Sequence, residues 1–214
     1  MDEEITIIDE KTRNEKIKNF FINNKKTIFS GIIVVVLTIF SFYSFQIYKN
    51  SQREQLSEKY NRAVIEFNRG EKSQILSTMK EVIEDKDSTY SPLALYFLID
   101  NNLISNKEEI NRLFDILINE TSLDYEIKNL IIYKRALYNA DDVSEDIILD
   151  ILKPLINSNS VWKSHALYLI AEYYFSKNEK QKSKEFFNEI IINENSNPEI
   201  IKEAQKRLNR DLSE

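Results

Sequence analysis

The run from Thr27 to Tyr48, TIFSGIIVVVLTIFSFYSFQIY, carries no charged residue and is bounded by Lys25-Lys26 on one side and Lys49 on the other. As a helix rising about 1.5 Å per residue it is roughly 33 Å long, against a bilayer hydrocarbon core of about 30 Å. A helix on a water-soluble protein keeps a polar face over such a length, and this run has none. The reading is a transmembrane helix over 27–48. Its β-branched residues lower helix propensity in water, but in lipid every backbone group must be satisfied within the segment, so helix prevails. Tyr43 and Tyr48 sit near one end, where amphipathic rings prefer the membrane interface. A cleaved signal sequence fits less well: its apolar region is usually about 7–15 residues. No small-x-small site follows this run, which ends Ser44-Phe45-Gln46-Ile47-Tyr48-Lys49. A buried core helix is the remaining alternative.

The span divides the chain into a tail at 1–26, the helix at 27–48 and a soluble region at 49–214. Basic residues set orientation. Lys11, Arg13, Lys16, Lys18, Lys25 and Lys26 precede the span, whereas Lys49, Arg53, Lys59 and Arg62 follow it. This bias places the N-terminus in the cytoplasm and the bulk of the chain across the membrane; inverted topology is the alternative. The tail opens with the acidic residues Asp2, Glu3, Glu4, Asp9 and Glu10. Residues 13–24 can form a short amphipathic helix with Ile17, Phe20 and Phe21 on one side. Phe20 and Phe21 then become candidates to touch anionic lipid or a membrane partner; a juxtamembrane extension with no partner is the plainer reading.

The soluble region carries the whole net charge of −6, which disfavours nucleic acid as a main partner. Without cysteine the chain has no disulfide framework, thiol nucleophile or thiolate metal site, and one histidine builds no histidine cage. Two glycines, Gly31 and Gly70, cannot make a phosphate-cradling loop. Sparse glycine and proline also argue against a turn-rich β-sandwich.

Apolar residues here recur at helical spacing. Leu56, Tyr60, Ala63, Val64 and Phe67 form one face of a helix over about 50–69, with Gly70 as its left-handed cap. Ile75, Leu76, Met79, Val82 and Ile83 mark a second over about 72–85. Ser91-Pro92 reads as an N-cap and first helical residue. Asn106-x-x-Glu109 reads as a capping box before Ile110, Leu113, Phe114 and Leu117. Ser122 is expected to open the helix containing Ile127, Leu130, Ile131 and Ala136. Asp142 or Ser144 opens the next, which Pro154 weakens near its end. Trp162–Phe175 and Lys180–Ile192 form a further pair, and Asn197-Pro198 starts the last helix. Short polar turns between such helices imply antiparallel hairpins, recurring at roughly 35–40 residues.

The fold class is therefore all-α: one N-terminal transmembrane helix followed by an α-α solenoid. The pair beginning near Ser164 resembles a tetratricopeptide repeat. Leu167, Ile170, Ala171 and Tyr174 match its first helix, and Ser183, Phe187, Ile190 and Ile191 its second; Asn195 stands where proline is usual. Earlier copies depart from the pattern, with Asn111 and Asp115 on positions expected to hold a small residue and an aromatic, and Lys134 on a small-residue position. Codon bias is one explanation, since 31 Ile and 22 Asn accompany only seven Ala; paired helices near 91–118 are its test.

The acidic start, Phe20-Phe21 before Asn23-Asn24-Lys25, the single span and the degenerate repeats together resemble the ancillary subunit of the bacterial SecYEG translocon, the YfgM type. Ser88-Thr89-Tyr90 with Leu93-Ala94-Leu95 is similar to the entry of that family's first clear repeat, and Trp162 with the Lys177-Asn178-Glu179-Lys180 turn to its last. The resemblance implies a non-catalytic inner-membrane protein with a periplasmic repeat domain. It implies association with SecYEG and with a membrane-anchored periplasmic chaperone of the peptidyl-prolyl isomerase class. It implies no cofactor.

Other candidate chemistry is sparse. His165 shares a helical face with Trp162 and Leu169 and lacks evident co-ligands, so a structural role is the stronger reading. Asp141, Asp142, Glu145 and Asp146 lack EF-hand spacing and suit a helix start. The aromatics Tyr168, Tyr173, Tyr174, Phe175, Phe186 and Phe187 can line a peptide groove or fill the core, and at least two thirds are expected to be buried. Phe20, Phe21, Trp162, Tyr168, Tyr174 and Phe187 are the candidate partner-binding residues. The rival functions are a membrane-anchored regulator that binds a cytoplasmic signalling protein through the tail, and a self-associating envelope-assembly protein.

Overall fold

The computed structural model describes residues 13, 15–71 and 74–212, and among these every regular element is helical. The acidic start at 1–10 and the expected helix start at 72–73 lie outside the described residues. Helix α1 covers 15–23. Helix α2 runs Lys25–Asn68 and contains the apolar stretch, none of it buried. The chain divides into two compact units, one up to Gln55 and one from Leu56 onward.

The second unit is built from the end of α2 and eight further helices: α3 (Ile75–Glu84), α4 (Tyr90–Asp100), α5 (Lys107–Asp115), α6 (Tyr125–Asn139), α7 (Glu145–Ile156), α8 (Lys163–Ser176), α9 (Lys180–Ile192) and α10 (Pro198–Asp211). A single π-helical turn, Ile116–Glu120, extends α5. From α3 to α10 successive helices pack on one another, and α8 also touches α6 and α10, two steps away on either side. That is the neighbour-to-neighbour order of a helical repeat array. Paired helices do occupy 91–118.

Local chemistry sets the boundaries. Gly70 takes a positive φ of 88° after α2, where a side chain would be strained. Asn106 accepts from the Glu109 N–H at 2.8 Å, and Asn197 accepts from the Glu199 N–H at 2.8 Å with Pro198 at the first turn. Ser144 precedes α7, and Pro154 lies within that helix without ending it. Two starts differ from expectation. Asp87, not Ser91, caps α4: its Oδ1 accepts from the Thr89 and Tyr90 N–H groups, both at 2.8 Å. Ser91 lies inside the helix, fully buried, and donates to the Val82 carbonyl at 2.8 Å. The third hairpin's first helix, α6, starts after Asp124 rather than at Ser122.

The core is a chain of three clusters. Leu56, Ala63, Met79, Leu95, Leu98, Leu113 and Phe114 belong to the first. Ile132, Ala136, Ile148, Leu152, Ala166 and Ile170 form the second, and Leu167, Ala171, Phe187, Ile190 and Ala204 the third. α8 contributes to both of the latter, and α6 contributes Ile131 to the first and Ile132 to the second. Interior helices such as α6 and α8 therefore bury apolar surface on both sides, worth about 1.5–3 kcal/mol per fully buried large side chain.

Candidate interaction surface

The helices α4, α6, α8 and α10 follow one another along one side of the second unit, tied by side chains at each step. Lys134 on α6 places its Nζ 4.1 Å from the ring centre of Tyr96 on α4. Glu172 on α8 accepts two hydrogen bonds from Arg207 on α10, at 2.6 and 2.7 Å. Arg207 also lies 4.3 Å over the Phe175 ring and pairs with Asp211. Between them stands an aromatic cluster. Tyr133 on α6 stacks on Trp162 with centroids 5.8 Å apart and planes 20° from parallel, and His165 sets its ring 5.9 Å from Tyr133 and 5.0 Å from Trp162.

The loop before α8 fixes that cluster. Ser160 donates from its hydroxyl to Glu126 on α6 at 2.6 Å, and the same oxygen accepts from the Trp162 N–H at 3.1 Å. The indole is thus held against α6 while remaining half-buried. Val161, the residue before Trp162, is 63% exposed, and on α6 Tyr125 and Leu137 are 58% and 53% exposed. Burial lowers the pKa of His165 below its ordinary value, favouring the neutral ring. Burial and the neighbouring Glu172 carboxylate push Tyr168 up to about 12.

The six candidate residues separate into three places. Phe20 and Phe21 are exposed on α1 at 60% and 56%. Trp162 and Tyr168 are half-buried on the row just described. Tyr174 and Phe187, expected to meet a partner, are core residues at 3% and 0% exposure, with no area left to offer one. Phe187 receives the edge of Tyr168 at 5.3 Å. Tyr174 stacks on Phe186 at 5.5 Å and donates to Glu145 on α7 at 2.7 Å. Lys182 on α9 reaches the same carboxylate at 2.9 Å, so Tyr174 ties three helices together. Of the six aromatics in this region, Tyr173, Tyr174 and Phe187 are buried, while Tyr168, Phe175 and Phe186 are partly covered. The burial is less complete than the expected two thirds because Tyr168 and Phe175 lie on α8 within the row, and Phe186 on α9 is only partly covered where it stacks on Tyr174.

Tyr133 was not singled out from the sequence. The missed signal is the register of α6. In the structure Ala136, fully buried, occupies the small-residue position, and Lys134 points outward over Tyr96. Shifting the pattern by two residues brings Tyr133 onto the face that Tyr168 occupies on α8. The departures at Asn111 and Asp115 also have a structural account. The side-chain amides of Asn111 and Asn139 donate to each other at 3.0 and 2.9 Å. Arg135 donates to Asn111 at 3.2 Å and to Asp115 at 2.8 Å. A polar clasp joins α5 to α6 where a small residue and an aromatic were expected, beside an open groove of about 450 Å³.

Residues 18–109 match the family model of a tetratricopeptide repeat-like domain. The match begins before the apolar stretch and ends in α5, so the clearest repeat copy in the sequence, α8 with α9, lies beyond it. Neither a curated protein nor a solved structure matches the chain. The match and the all-helical architecture agree on a tetratricopeptide-like array, a fold that serves as a protein–protein interaction scaffold.

Proposed function

We propose that this protein is a membrane-anchored, non-catalytic scaffold whose helical-repeat unit recruits protein partners through the α6–α8 face. The observation that carries the proposal is the aromatic cluster of Tyr133, Trp162 and His165, half-buried and fixed by Ser160, with exposed Val161 next to Trp162 in the chain and exposed Leu137 one helical turn after Tyr133. Rigid aromatic groups of this kind supply contact area at little entropic cost. The charges beside it are already paired within the protein, as Glu172 with Arg207, so a partner need not strip an isolated charge of water. In this reading 27–48 crosses a bacterial inner membrane, 1–26 lies in the cytoplasm and 49–214 in the periplasm. The partners are the SecYEG translocon beside the span and a membrane-anchored chaperone of the peptidyl-prolyl isomerase class on the repeats. Tethering raises the effective concentration of the second contact, up to the millimolar range.

In-cell photo-crosslinking from Tyr133, Trp162 and Leu137, followed by mass spectrometry, tests this reading. Adducts to translocon subunits and a periplasmic chaperone support it. Reproducible adducts only to other copies of the chain, or to a cytoplasmic regulator through the tail, refute it.

A further inference from the structure

Helix α1 presents Ile17, Phe20 and Phe21 on one face, exposed at 49%, 60% and 56%. Nothing in the second unit is needed to explain them, for they belong to the first compact unit together with the apolar stretch. Their spacing of i, i+3 and i+4 makes a single stripe. Lys16 and Lys18 flank the two edges of that stripe, Lys25 and Lys26 follow at the start of α2, and Glu15 is the acidic residue among the described residues ahead of them. Apolar stripe, lysine borders and low overall hydrophobicity define a helix that lies in a membrane interface rather than across it.

The join to α2 permits that placement. Asn23 ends α1, and Asn24 alone separates the two helices in a turn. The Phe20 carbonyl accepts from both the Asn24 backbone N–H at 3.0 Å and the Asn24 side-chain amide at 2.9 Å. The Ile28 N–H donates in turn to the Asn24 carbonyl at 2.9 Å, so the backbone ladder runs on into α2, while the asparagine side chain competes for the Phe20 carbonyl and weakens the join.

We infer that α1 docks on an anionic phospholipid surface, with Ile17, Phe20 and Phe21 seated among the headgroups and Lys16, Lys18, Lys25 and Lys26 paired with phosphates. The inference rests on the reading of 27–48 as a membrane span, which brings α1 to the lipid surface. It commits to lipid because the basic border continues directly into the apolar stretch, where a headgroup layer must lie. Juxtamembrane lysines are attracted to anionic leaflets, and the attraction falls off within a Debye length.

The chain lacks cysteine, so single labels are unambiguous. Full-length protein carrying an environment-sensitive fluorophore at Ile17→Cys, Asn19→Cys, Phe21→Cys or Val35→Cys is reconstituted into vesicles of neutral phosphatidylcholine, with or without phosphatidylglycerol. The expected result is blue-shifted emission and several-fold lower acrylamide quenching at 17 and 21 in anionic vesicles, with 19 open to quencher. That protection should be lost in neutral vesicles and in the Lys16→Glu, Lys18→Glu variant. Quenching at 17 and 21 in both vesicle types, equal protection in both, or equal protection at 19 as from a protein cover, overturns the inference. Val35 separates the two failures: shielded Val35 with open 17 and 21 refutes lipid docking alone, whereas open Val35 refutes the membrane anchor on which it rests.

Discussion

Replacing Phe187 by Ala tests the division between core and surface most directly. The ring is fully buried on α9 among Leu167, Ala171, Ile190, Ala204 and Leu212, with Tyr168 edge-on at 5.3 Å. A buried Phe→Ala change costs about 3–5 kcal/mol, and the cost is higher where neighbours cannot move into the space. Ala171 and Ala204 have no side chain to extend into it, which places the expected loss in the upper half of that range. For a chain of this length about 2–4 °C of Tm is lost per kcal/mol, so the drop is about 8–20 °C. Circular dichroism of the detergent-solubilised full-length chain measures it. Because a repeat array loosens locally, hydrogen exchange should rise in α8, α9 and α10 and stay unchanged in α3 and α4. Phe20→Ala, on an exposed ring, should leave Tm unchanged. Below the variant's melting range, crosslinking from Tyr133 should persist. A Tm loss under about 2 °C, or crosslinking abolished while the fold is intact, would falsify the assignment of Phe187 to the core.

His165, the one histidine, should give a single imidazole NMR titration with a midpoint below 6.5, because burial disfavours its charged form. The unfolded chain then binds that proton first, so stability falls as pH drops below 6.5, and His165→Phe should flatten this part of the profile. Glu109 is held at about 2 by hydrogen bonds from Arg112 and Lys80. Its contribution is complete above 4.5 and lost as pH falls towards 2, and urea midpoints of Glu109→Gln should show a shallower acid slope there. Tyr174→Phe removes the 2.7 Å bond to Glu145 and should cost about 0.5–1.5 kcal/mol by urea titration, since Lys182 still pairs with that carboxylate. In a double-mutant cycle of Asn111→Ala with Asn139→Ala, the non-additive coupling should be about 0.5–3 kcal/mol; strict additivity would show that the amide pair does not form.

Helices whose ends are fixed by their own residues were readable from the sequence. The Asn106 cap and the Asn197-Pro198 start both rest on local hydrogen bonding, the second also on proline geometry. The misread start of α4 was fixed by a distant partner. Ser91 satisfies its hydroxyl on the Val82 carbonyl of α3, a bond that no local pattern encodes, and so leaves capping to Asp87. The site was less legible for the same reason. Composition cannot tell a ring that fills a hairpin, as Phe187 does, from one that faces outward beside it, as Tyr168 does; the register of the neighbouring helix decides. On α6 the expected small-residue position fell on Lys134, which hid Ala136 as its occupant and Tyr133 as a face residue.

The clasp between α5 and α6 shows how the array tolerates loss of its own pattern. At α8 and α9 the repeat is held by small buried residues, Ala166, Ala171 and Ser183, which let backbones approach and apolar neighbours close. At α5 and α6 the equivalent work falls to Asn111, Asn139, Arg135 and Asp115. A hydrogen bond contributes only about 1 kcal/mol net, less than a buried Leu or Ile, but it fixes one direction and one register. This joint lies where the first and second core clusters meet, with Ile118 packed against both and Ile131 and Ile132 divided between them. A polar joint there leaves each cluster to be stabilised by its own hairpins. The α2–α5 part and the α6–α10 part can then keep their folds while the repeat motif between them erodes, which is the pattern this sequence displays.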